Sequence, residues 1–121
     1  MIIGIGIDLI EIDRFKRICS NSEHMLRMFT SAEIDFIGTD IVKASDNFSV
    51  KEAFSKMLGT GVHDYKLTDI EVLRNEKGKP YIKFYNNTIN IIKDLSIDNV
   101  VVSISNTDKL SIAVVIGEKN E

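Results

Sequence analysis

The sequence predicts an α+β domain in which mainly antiparallel strands are covered by helices. Three observations carry that expectation. Apolar residues alternate with a period of two near both ends of the chain, one long helical segment lies between them, and two strand–turn–strand units occupy the second half. At 121 residues the chain has the size of a single domain, residues 1–121, with one core.

Residues 2–8 place Ile3, Ile5 and Ile7 alternately with Gly4 and Gly6, the pattern of a strand approached closely on one face by other backbone. Asp8 then stands at the expected carboxyl end of that strand. From Glu11 onward Ile12, Phe15, Ile18 and Cys19 recur at helical spacing, with Arg14, Lys16 and Arg17 on a basic face. Thr30-Ser31-Ala32-Glu33 is a capping box, with Phe29 and Ile34 placed as a hydrophobic staple, so a helix begins at about Ser31. The longest helix covers residues 41–58, with Val50, Ala53, Phe54, Met57 and Gly61 on one side and Gly59 suited to a left-handed cap. Glu52, Ser55, Lys56 and Gly59 form a neighbouring stripe. Residues 69–74 and 80–84 alternate around the turn Asn75-Glu76-Lys77-Gly78, residues 88–95 return to helical spacing, and residues 100–104 and 110–116 make a closing hairpin. The predicted order is β-α-α-α-β-β-α-β-β.

Composition excludes several classes. Hydrophobic residues make up 44% and charged residues 27%, which rules against a largely disordered chain, and a net charge of −3 argues against a generic nucleic-acid binder. The apolar start is interrupted by Gly4, Gly6, Asp8 and Glu11 without a basic leader, so it is neither a signal peptide nor a membrane span. The single Cys19 fits a reducing compartment, and a cytoplasmic location is expected. His24 and His63 stand in no metal-ligand pattern and read as surface residues.

Two acidic residues stand out by position, Asp8 at a strand end and Glu52 beside a buried helical face. Mg²⁺ takes hard oxygen ligands and is commonly held by one or two carboxylates plus substrate phosphates, so this pair could serve a phosphate-bound metal. On spacing alone the plainer account is a capped turn at Asp8 and an i,i+4 salt bridge from Glu52 to Lys56. Gly4 and Gly6 lack the third glycine and following helix of a dinucleotide fingerprint.

Five strings occur in register along nearly the whole chain: Gly4-Ile5-Gly6-Ile7-Asp8-Leu9-Ile10-Glu11-Ile12 with Arg14; Phe29-Thr30 with Glu33; Phe48 and Lys51-Glu52-Ala53-Phe54-Ser55-Lys56 leading to Gly59-Thr60-Gly61; Asp69-Ile70-Glu71-Val72; and Gly78-Lys79-Pro80-Tyr81. Together they resemble the holo-acyl-carrier-protein synthase family, the short 4′-phosphopantetheinyl transferases. The resemblance implies transfer of 4′-phosphopantetheine from coenzyme A to a serine of acyl carrier protein, releasing 3′,5′-ADP, in fatty acid biosynthesis. It implies Mg²⁺ held by Asp8 and Glu52, and Lys56 near the phosphates. Glu52 is the candidate for accepting the serine proton, an assignment the sequence leaves open. Ser55 and Gly59 would let the helix approach the cofactor, Lys79 and Pro80 lie in a loop near its adenine end, and Arg14 and Arg17 would receive the acidic carrier protein. Family members of this length are homotrimers with sites at subunit boundaries.

The chain departs from the family pattern at two places. Ser105-Asn106-Thr107 stands where a histidine is usual, leaving Asn106 as a neutral cofactor contact, and Asn47 stands where an arginine precedes Phe48. Both departures imply weaker coenzyme A binding. A degenerate binding module and a metal-dependent phosphohydrolase remain the alternatives.

Overall fold

Extended backbone over Ile2–Glu11 forms β1 in the computed structural model, which describes residues 1–60 and 63–121. Three short helices follow, α1 (Ile12–Cys19), α2 (Ser22–Met28) and α3 (Ser31–Ile37), before the long α4 (Ile41–Leu58). A single 3₁₀ turn at Leu67–Asp69 leads into the hairpin of β2 (Ile70–Arg74) and β3 (Pro80–Phe84). Then come α5 (Asn87–Asp94), β4 (Asn99–Asn106) and β5 (Leu110–Glu118). The long strands form one antiparallel sheet in the order β1-β5-β4, and β2 pairs with β3 as a separate two-stranded sheet.

The α+β expectation holds, with three differences. An additional helix, α2, appears because Asn21 caps it, its side chain accepting hydrogen bonds from the Glu23 and His24 amides. Asp8 is not at a strand end: β1 continues to Glu11, and Asp8 sits opposite Ala113 within the ladder. The three-stranded sheet is covered by α4 on one face, while the other face leaves Ile5, Ile7 and Leu9 at 62%, 53% and 60% exposure. Gly61, expected on the apolar side of the long helix, lies outside the described residues.

The glycines of β1 make the close approach that the alternation suggested. A Cβ at Gly6 would fall on the Ala53 carbonyl oxygen, and one at Gly4 on the Met57 carbonyl oxygen, so the α4 backbone rests directly on the strand. Ala53, Phe54 and Met57 then pack with Ile70, Val72, Ala113 and Val115 in the larger core. A second cluster gathers Phe15, Met28, Phe29, Ile37 and Ala44 beneath α1–α3, with Phe15 stacked on Phe48 at 4.9 Å between ring centroids.

A charged knot joins these regions. Lys51 is completely buried, and its ammonium donates to Glu33 Oε1 at 2.6 Å, to the Met28 carbonyl at 2.6 Å and to the Leu67 carbonyl at 2.9 Å. Glu33 is also completely buried and receives further hydrogen bonds from the Thr30 amide, the Asn47 side chain and the Val72 amide. Burial pushes the Glu33 carboxyl up and the Lys51 ammonium down, while each partner opposes the other's shift. Three donors used on one side and four bonds accepted on the other suit the ionised pair.

Removing one partner leaves the other charge buried and alone. Lys51→Met is expected to cost about 3–5 kcal/mol of stability, and the Lys51→Met/Glu33→Gln double variant less than the sum of the two single variants. Urea unfolding of the four proteins checks this; additive losses would show that the two charges act independently.

Candidate active site

Strand alternation places Asp8 on the same face of β1 as Gly4 and Gly6, the face that meets α4. Its carboxylate is 15% exposed and receives the Lys56 ammonium at 3.1 Å. Glu52 lies one turn before Lys56 and is half-buried. Burial and, after it, the charge of Asp8 push the Glu52 carboxyl up, and Lys56 acts in the opposite direction. The two carboxylates therefore share one electrostatic environment, with Lys56 bonded to the strand residue and not to its i−4 neighbour. Both parts of the plainer account, a capped turn at Asp8 and a Glu52–Lys56 salt bridge, are replaced by this arrangement.

Ser55, expected on the stripe that would let the helix approach a cofactor, does not present its side chain there. It is buried, and its hydroxyl donates back to the Glu52 carbonyl at 2.7 Å, which rotates it away from solvent. Gly59 ends α4 in the left-handed conformation at φ +80°, as expected of a helix terminus.

Asn106 closes β4 and donates to Asp46 Oδ2 at 2.9 Å, while the Ser111 hydroxyl donates to Asp46 Oδ1 at 2.7 Å. Asn47 is completely buried, donating to Glu33 at 3.1 Å and to the Val72 carbonyl at 3.0 Å. Position 47 thus belongs to the interior knot and presents no side chain to an anionic ligand in this chain. Lys79 and Pro80 follow a tight turn in which Asn75 accepts the Lys79 amide at 2.9 Å and Gly78 takes φ +83°. No hydrogen bond or ion pair joins them to Asp8, Glu52 or Lys56 among the described residues.

Arg14 and Arg17 are exposed on α1. Arg14 borders a groove of about 230 Å³ whose walls include Leu9, Phe15, Ile18 and Phe48. That groove opens beside the same strand that carries Asp8. Cys19 is half-buried, and burial pushes its thiol up to about 11, the behaviour of an inert packing residue. Two features had no place in the sequence reading. The interior role of Lys51 was masked by its position beside Glu52, and the Asp46 cluster joins residues too distant in sequence to suggest one another.

A family profile described as the 4′-phosphopantetheinyl transferase superfamily matches residues 4–115. A holo-[acyl-carrier-protein] synthase of Lachnoclostridium phytofermentans is 43% identical over 118 residues, covering 98% of this chain and 97% of that protein. Among solved structures, holo-[acyl-carrier-protein] synthase from Neisseria meningitidis superposes with a TM-score of 0.91 at 26% identity, covering 98% of this chain and 100% of that one. A holo-(acyl-carrier-protein) synthase from Bacillus anthracis, solved in complex with CoA (3′,5′-ADP), gives 0.82 at 30% identity over 99% of both chains.

The Lys56–Asp8 pair is open to solvent at its lysine, whose side chain is 56% exposed, so screening leaves it little weight in the fold. Lys56→Ala is expected to change unfolding stability by no more than about 1 kcal/mol. A larger loss in thermal or urea unfolding would make Lys56 a structural residue and weaken its assignment to the site.

Proposed function

We propose, since the chain belongs to the 4′-phosphopantetheinyl transferase superfamily, that it acts as a holo-acyl-carrier-protein synthase, moving 4′-phosphopantetheine from coenzyme A to a serine of acyl carrier protein in fatty acid biosynthesis. The observation that carries the reading is the meeting of Asp8, Glu52 and Lys56 where β1 crosses α4.

The donor set fits a magnesium ion. Glu52, its carboxyl pushed up by burial and then by the charge of Asp8, would gain with Asp8 from a shared cation, for which a diphosphate and water would supply the further hard-oxygen ligands. Mg²⁺ held by Asp8 and Glu52 would polarise the phosphoryl oxygens and offset the charge of the departing group. The residues of the chain supply alignment and charge. Lys56 places its ammonium beside the transferred phosphoryl group. The serine oxygen forms a bond to the β-phosphorus, the bond from that phosphorus to the oxygen of 3′,5′-ADP breaks, and Glu52 accepts the serine proton. Gly59 lets the cofactor approach the end of α4, and Ser55 fixes the last turn from within. Lys79, Pro80 and Asn106 are assigned to the cofactor's nucleotide end. Arg14 and Arg17 attract the acidic carrier, and the apolar groove beside Arg14 gives it a surface to rest on.

The uncovered face of β1 supports association with further copies of the chain, which we read as a cytoplasmic homotrimer with shared sites. A strip of Ile5, Ile7 and Leu9 is long and apolar for a solvated edge strand, and a second copy would remove it from water. The part of coenzyme A that this chain does not hold would then rest on its neighbour.

Incubating an apo carrier protein with coenzyme A, Mg²⁺ and the protein is expected to raise the carrier's mass by one phosphopantetheine. Asp8→Ala and Glu52→Ala should each lower the rate about 100-fold or more at unchanged melting temperature, and chelation of the metal should do the same to the wild type. An unchanged carrier mass under every divalent metal would point to a binding module, and pantetheine phosphate released without carrier to a phosphohydrolase. Separately, Ile7→Lys is expected to shift the protein to monomer in light scattering and to remove most transfer activity. A fully active monomer rules out shared sites.

A further inference from the structure

Arg74 is a half-buried cation that the chain leaves unneutralised. It ends β2 and stands opposite Pro80 in the hairpin, beside the turn that carries Lys79. Its guanidinium lies over the Phe36 ring, 4.7 Å from the centroid, and the Lys43 ammonium lies over the same ring at 4.9 Å. Among the described residues the Arg74 side chain makes one hydrogen bond, to the adjacent Leu73 carbonyl at 3.3 Å, and no ion pair. Lys43 and Lys79 make no ion pair among them either. A guanidinium has five donors, so most of its fork is unused.

The carboxylates at hand are already engaged. Lys43 and Asp46 are three residues apart on α4 and therefore share a face of it. Asp46 accepts Asn106 on one oxygen at 2.9 Å and Ser111 on the other at 2.7 Å. Asp40 accepts the Val42 and Lys43 amides at the helix start. Arg74 thus lies in one connected patch with Asn106, Asp46, Lys43 and Phe36, bordered by Pro80, and its charge is open to an anion from outside the chain.

We infer that Arg74 binds the 3′-phosphate at the nucleotide end of coenzyme A, with Lys43 adding charge beside it. The inference rests on the transferase reading, which assigns Lys79, Pro80 and Asn106 to that end, and it adds the residue that supplies the charge absent from positions 47 and 106. A planar guanidinium places two parallel N–H groups on the oxygens of a phosphomonoester, and its stacking on Phe36 holds that plane in advance. Neither asparagine can do this: both are neutral, and both already donate to carboxylates of the chain. Asp8 on β1 and Asn106 on β4 occupy the two edge strands of the sheet, so the patch and the metal pair of one copy stand apart. Sites shared between copies bring the two onto one coenzyme.

Arg74→Gln removes the charge and keeps much of the side-chain length, while Arg74→Lys keeps the charge and loses the fork. The nucleotides 3′,5′-ADP and 5′-AMP differ by the 3′-phosphate alone, so titrating each into the full-length protein isolates that contact without turnover. Wild type is expected to bind 3′,5′-ADP about 10-fold or more tightly than 5′-AMP. Arg74→Gln should lose about 10-fold or more toward 3′,5′-ADP, stay within about twofold toward 5′-AMP and melt at the wild-type temperature, with Arg74→Lys in between. In the transfer assay the KM for coenzyme A should rise by a similar factor at a kcat within about twofold of wild type. Equal wild-type affinities for the two nucleotides would overturn the inference and leave the transferase reading intact. So would an Arg74→Gln variant that is unchanged, that weakens both nucleotides equally, or whose loss comes with a lowered melting temperature and is not partly restored by lysine. No carrier modification by wild type would overturn both.

Discussion

The site exists because β1 and α4 touch backbone to backbone. Ala53 lies over Gly6 and Met57 over Gly4, so the helix runs against the direction of the strand in steps that match. Four helical residues rise about 6 Å and two strand residues about 6.6 Å. One further step places Asp8 alongside the turn of α4 that precedes Ala53. Helical side chains lean toward the N-terminus, so Lys56 reaches back along the strand to Asp8, and Glu52 lies in the interval. A larger residue at Gly6 would separate the two backbones and with them the carboxylates.

Contact with the strand fixes how closely α4 approaches, and the buried knot on its other side fixes its rotation. Lys51 and Glu52 are consecutive, so their side chains leave the helix about 100° apart. One enters the interior to hold Glu33, the Met28 carbonyl and the Leu67 carbonyl; the other emerges beside Asp8. Turning the helix to move Glu52 would withdraw Lys51 from three hydrogen bonds at once. Thr30 links the knot outward, accepting the Glu33 amide and donating to Glu71, which also accepts the Tyr85 hydroxyl. A buried ion pair of this kind is weak ground for stability in general, but here its geometry limits the directions an adjacent functional side chain can take.

The parts of this arrangement written in local sequence were legible. Alternating glycines in β1 signalled a close backbone approach, Thr30 and Glu33 a capping box, and Gly59 a helix end, and each has a counterpart in the structure. The α2 helix was missed although Asn21 with Glu23 carries a capping signal, because its seven residues offer little apolar periodicity. The facing of Ser55 could not be read either: a serine one turn beyond Glu52 satisfies the exposed stripe and the inward back-bond equally well. Lys51 was the larger omission. A lysine beside a glutamate on a long helix suggests a solvated face, and its burial depends on Glu33, supplied by a separate helix.

The two departures from the family pattern have a common physical form. At Asn47 and at Asn106 an amide nitrogen donates to a buried carboxylate, Glu33 in one case and Asp46 in the other. Neutral donors suffice at Glu33 because Lys51 already supplies its positive charge, and a second cation there would leave the interior with an excess. At Asp46 the Ser111 hydroxyl shares the load, and the Arg74 guanidinium acts on it from a distance. Both side chains are therefore engaged with carboxylates of the chain itself. The ammonium that meets Asp8 among the described residues is that of Lys56, which is held in place by the aspartate and remains open to solvent on its other side.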